Sequence, residues 1–118
     1  MSSSSYTTLM YGIPLTNKDV KTMEEKLGRD LFENPDIGDC EVCVHGNMVS
    51  GDTFTFLGIA DSVQSGPDAH KEARKVSFDT SNGEWDKKLF IVCLETDLVS
   101  LESGWTKKPD WYLLTYYG

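Results

Sequence analysis

The chain has 118 residues, 39% of them hydrophobic and 25% charged, which is enough for one domain whose core needs neither metal nor disulfide. Nineteen acidic residues against eleven basic ones give a net charge of −8, which opposes direct binding to nucleic-acid phosphates and to anionic membranes. Three cysteines, Cys40, Cys43 and Cys93, are too few and odd in number for a secreted disulfide framework.

In chain order, residues 1–5 read as a flexible serine-rich tail, and residues 6–118 as a single α+β domain. Met1 to Tyr6 has neither a basic nor an apolar region, so no secretory signal is expected. The longest apolar run, Leu89 to Leu94, is far too short to span a membrane. The expected location is a reducing cytoplasm.

Tyr6 to Ile13 is rich in β-formers and predicts a first strand, ended by Pro14 and Leu15. Thr16 is a good N-cap with Asp19 three residues on, and Val20, Met23 and Leu27 recur at helical spacing. With Gly28 as a left-handed stop, the first helix is expected over 17–27. Residues 31–39, with Asn34, Pro35 and Gly38, read as a loop.

Cys40 to His45 alternates and predicts a strand, with Cys40, Val42 and Val44 on one face and Glu41, Cys43 and His45 on the other. After turn signals at 46–52, Thr53 to Val63 predicts another strand, bent near Gly58, with Phe54 and Phe56 opposite Leu57 and Ile59. Residues 65–74 read as a long surface loop and 75–79 as a short edge strand.

Ser81 and Glu84 have capping-box spacing. Trp85, Leu89, Val92, Cys93 and Thr96 then share one helical face, so a second helix is expected over 83–96. Its apolar stretch 89–94 would also suit a buried strand. Trp111 to Tyr117 predicts a last strand, bulky on both faces and therefore interior to the sheet. The order implies a two-layer sandwich: a mostly antiparallel sheet of four or five strands with two helices on one face, with a ferredoxin-like βαββαβ topology as the leading arrangement.

The sharpest motif is Cys40-x-x-Cys43 with His45 nearby. Zinc would need a second ligand pair, and a strand aims the two thiols to opposite faces, so no metal is expected. A redox role would need the motif at a helix N-terminus. No cofactor motif is present, and neither His45 nor His70 stands in a nucleophile elbow. The pairs Asp36 with Asp39 and Asp52 with Asp61 read as solvated acids. Catalysis is not expected.

Two features stand out from this background. His70, Lys71, Arg74 and Lys75 concentrate positive charge and could bind a phosphate or another small ligand. Trp105, Trp111, Tyr112, Tyr116 and Tyr117 crowd the C-terminal end, where exposed rings beside acids would serve a protein interface or a homodimer face. The expectation is a small acidic, non-enzymatic binding protein acting on a protein partner, basic in character. Phages and mobile elements carry inhibitors of host or defence proteins in this style. The alternative is a small-molecule or nucleotide-ligand binder, or a minor hydrolase, using the 66–75 loop.

Overall fold

The computed structural model describes residues 5–47, 52–65, 76–100 and 108–117. β1 (Ser5–Leu15) leads into α1 (Asn17–Leu27). β2 (Asp36–Ile37), β3 (Cys40–Asn47) and β4 (Asp52–Ile59) follow, then a 3-10 turn (Ala60–Ser62) and β5 (Gln64–Ser65). α2 (Glu84–Glu95) and β6 (Asp110–Tyr117) complete the order.

The expected α+β sandwich is present. One sheet runs β2-β3-β4-β1, with β6 paired to β1 along Ser5 to Gly12. These neighbours are antiparallel throughout. Both helices cover the same face. Val20 and Met23 of α1 and Leu89, Val92 and Cys93 of α2 pack with Ile13, Leu15, Val42, Leu57 and Ile59 in one buried cluster. The sequence 89–94 is helical: Leu89, Val92 and Cys93 are buried in this cluster, Phe90 and Leu94 pack against it, and Ile91 is 53% exposed.

The opposite face is closed by the sheet itself. β3 and β6 touch at their C-terminal ends, Gly46 beside Tyr116 and Asn47 beside Tyr117, in parallel sense. Each strand-to-strand step rotates direction by about 20–35°, so three steps from β3 to β6 accumulate roughly 60–105°. Untwisted, the two strands would run in opposite senses; the rotation carries them part of the way toward the parallel sense in which their last residues meet. Met10, Phe56 and Leu114 are buried inside the curl, with Cys43 against them.

α1 is capped as its sequence predicts. The Thr16 hydroxyl accepts from the Asp19 N–H, Asp19 accepts from the Thr16 N–H, and Gly28 ends the helix at φ 68°. Elsewhere the structure corrects the sequence reading. β1 runs through Pro14 to Leu15. Tyr11 donates its N–H toward the β4 side, to Ser62. By alternation the Pro14 nitrogen faces the β6 side, where β6 has already ended opposite Gly12.

The 31–39 segment buries Leu31 completely and contributes β2. The strand expected at 53–63 is interrupted: the 3-10 turn separates β4 from β5, both on the same edge of β1. Residues 76–80 form no strand. The Gln64 side chain takes the place of a ladder there, donating to the Ser77 carbonyl at 2.7 Å and accepting its N–H at 2.9 Å.

Ser81 does not cap α2. Ser81, Asn82 and Gly83 all have positive φ, Gly83 is the cap residue, and it makes no side-chain capping bond. Among the described residues β6 is not interior: β1 borders it on one side, β3 meets only its last two residues, and Leu113 is 68% exposed.

Candidate functional site

The residues that converge most tightly around exposed groups are aromatic. Tyr11 and Trp111 are cross-strand partners on β1 and β6, with ring centres 5.4 Å apart in an edge-on arrangement. Trp85, in the first turn of α2, lies 5.8 Å from Trp111 and 6.1 Å from Tyr11. Phe78 stands nearly perpendicular to Trp111 at 5.8 Å. The Trp111 indole N–H also donates to the Phe78 carbonyl at 3.2 Å. Edge-to-face contacts of this kind add to the area that the rings bury.

The cluster grades from core to surface. Tyr11 is buried, Trp85 and Trp111 are half-buried, and Phe78 is 63% exposed. Phe78 is held out by its segment: Gln64 pins Ser77, and Asp79 accepts the Ser81 N–H. Leu113 lies two residues along β6 from Trp111, so it shares the same face of the strand. Val76 is also exposed.

Carboxylates rim this patch. Asp86 accepts a hydrogen bond from the Tyr11 hydroxyl. Burial holds the Tyr11 hydroxyl well above the ordinary tyrosine range, and Asp86 and Asp110 push it the same way. Asp79, Glu84 and Asp110 are exposed beside the aromatic residues in sequence. Glu84 has a partner in Lys87 at 3.7 Å, a solvated pair of little energetic weight.

Of the residues singled out by sequence, Trp111 belongs to this patch. Tyr112 points to the other face, 5.3 Å from Phe56, and is partly exposed. Tyr116 and Tyr117 are described as β6 backbone only, where they border both β1 and β3. Trp105 and the basic group His70, Lys71, Arg74 and Lys75 lie outside the described residues. Sequence reasoning misses Phe78, which it assigns to an edge strand, and Tyr11, whose alternation already marks it as apolar on one side. It places Trp85 on the buried face of α2, yet only part of that ring is covered.

The cysteines separate as their alternation requires. Cys40 and Cys93 are buried under the helices, while Cys43 lies inside the curl, its sulfur 3.8 Å from that of Met10. Burial pushes all three thiols up to about 12, far from the thiolate needed for metal binding or redox attack. Among the described residues no three His, Cys, Asp or Glu side chains gather as a metal site. His45 stacks 5.7 Å from Phe54 and is pushed below its ordinary value by burial.

An open depression lined by Lys21, Glu24, Glu25, Arg29 and Asp30 is structural. There Glu24 accepts the Leu31 N–H and Arg29 donates to the Asp36 carbonyl, fixing the path from α1 to β2. No helix among the described residues is long and apolar enough to cross a membrane. Comparison with protein-family models, with curated proteins and with solved structures found no match.

Proposed function

We propose that the chain is a non-enzymatic binding protein that holds a basic protein partner on the patch of Phe78, Trp111 and Leu113 and its carboxylate rim. The observation that carries this reading is Phe78, a large ring 63% exposed yet fixed on Trp111 by an edge-to-face contact and through its own main chain. A rigid exposed aromatic residue costs little entropy to bury, and covering the part of Phe78 still exposed contributes about 1–2 kcal/mol. Anchors of this kind, ringed by polar groups, typify the energetic centre of protein interfaces.

The charge of −8 supports a basic partner, because complementary potentials speed encounter and exclude acidic competitors. A protein that inhibits a host or defence factor by presenting nucleic-acid-like charge would use such a surface. A reducing cytoplasm accords with the three free cysteines.

Affinity capture tests this. Wild-type protein and Phe78→Ser are immobilised side by side, and retained proteins are eluted with rising salt. The reading expects a basic protein held by the wild type, released by salt and much reduced on Phe78→Ser. Equal retention by both, or retention indifferent to salt, would remove the patch from consideration.

A further inference from the structure

We propose that the partner is held by strand addition: an extended basic segment pairs with the outer edge of β6 between Trp111 and Thr115. This rests on the binding-protein reading above. The Tyr11 N–H points to Ser62 on the β4 side, so Tyr11 and Trp111 face one another without exchanging main-chain bonds. The main-chain groups of Trp111, Leu113 and Thr115 therefore point away from β1. Trp111 confirms this direction, since its N–H is taken by the Asp110 side chain at 2.8 Å.

Among the described residues, β3 borders that edge only at Tyr116 and Tyr117. The Leu113 N–H and carbonyl, the Thr115 N–H and the Trp111 carbonyl are thus presented as a template for one short antiparallel strand. An added strand would alternate. Residues on the Trp111 and Leu113 side would meet Phe78 and Leu113, both more than 60% exposed, and would be apolar. Residues on the other side would meet Asp110 and the partly exposed Tyr112 ring. Lysine or arginine there gains an ion pair and a cation–π contact. Lys108 is the described cation at the start of this element and Lys87 is already paired with Glu84, so Asp79, Asp86 and Asp110 leave an acidic excess. The same acidic excess disfavours a second copy as the occupant.

The test uses fluorescent peptides and the full chain. A peptide of alternating lysine and valine should bind, with its affinity falling as salt rises. The same peptide N-methylated along the edge facing β6 should bind at least about tenfold more weakly, and an alternating glutamate and valine peptide should not bind. Leu113→Pro, which removes one outward N–H and spares the bonds to β1, should weaken the first peptide similarly. Should that variant fold poorly, the methylated peptide puts the same question to the wild-type protein. Equal binding of methylated and unmethylated peptides, both salt-sensitive, would overturn strand addition while leaving the acidic-surface reading standing. No binding by any lysine peptide would overturn strand addition, and the salt-dependent capture above would then judge the parent reading. A dimer of the chain that Leu113→Pro dissociates would overturn the proposal in favour of self-pairing.

Discussion

The Tyr11 hydroxyl donates to the Asp86 carboxylate, tying the middle of β1 to the first turn of α2. Tyr11 is also the buried floor on which Trp85 and Trp111 rest. Loss of this bond leaves a partly buried carboxylate without its donor. Tyr11→Phe is therefore expected to cost about 1.5–3 kcal/mol, read as a lower denaturation midpoint in urea. An unchanged midpoint would mean that water replaces the hydroxyl without loss.

The same contact has a pH signature. The folded state holds the Tyr11 proton more tightly than the unfolded chain does. Its stabilising contribution is complete below pH about 10, the ordinary tyrosine value, and is lost as pH climbs toward the raised folded value. The three buried thiols, pushed up to about 12, lose stability in the same sense from pH about 8.5 upward. Melting temperature should therefore fall on the alkaline side, and less steeply in Tyr11→Phe than in the wild type. Parallel slopes above pH about 10 would remove Tyr11 from the account.

Gly12 faces Gly58 across β1 and β4. A Cβ on Gly12 would overlap the Leu57 carbonyl oxygen, which is backbone and cannot step aside. Gly12→Ala should destabilise by more than about 3 kcal/mol. At Gly58 the obstacle is the Met10 side chain, its Cε 2.6 Å from the added carbon. Gly58→Ala should cost less in a Met10→Ala background than in the wild type, with a coupling of about 1 kcal/mol. Strict additivity would show that the interior of the curl is looser than its packing implies.

The two helix starts give opposite expectations for similar sequences. Thr16→Ala should cost about 1 kcal/mol because a real capping box is lost. Ser81→Ala should change stability by less than about 0.5 kcal/mol, since the Ser81 side chain caps nothing. Ser81→Gly should raise the melting temperature, because Ser81 sits at φ 54°, where glycine is at ease.

How far the sequence can be read depends on whether the deciding forces are local. α1 is legible to the residue because the Thr16 and Asp19 box, the Val20 and Met23 spacing and the Gly28 stop are local signals that no tertiary contact opposes. The opposite faces of Cys40 and Cys43 follow from strand alternation alone. α2 is legible in its apolar face, while its start is not. There the left-handed run Ser81-Asn82-Gly83 overrides the spacing of Ser81 and Glu84.

Long-range pairing is invisible in the sequence. The Gln64 amide clasping Ser77 replaces the strand expected at 75–79, and no local pattern announces a side chain that imitates a backbone. The contact of β3 with β6, beside the buried Met10 and Phe56, joins strands three steps apart in the sheet, which no local pattern announces. At the site, Trp111 stands out by its crowded neighbourhood. Phe78 does not, because exposure of a single ring is a property of the fold around it.

The most direct test of the account is the salt dependence of the isolated complex with its captured partner, measured for the wild type and for Phe78→Ser. Affinity is expected to fall steadily with rising salt in both, and Phe78→Ser to be weaker by about tenfold, or about 1.4 kcal/mol, while still melting cooperatively with only the small loss of the Trp111 contact. Affinity that ignores salt, or a Phe78→Ser complex as tight as the wild type, would contradict the account.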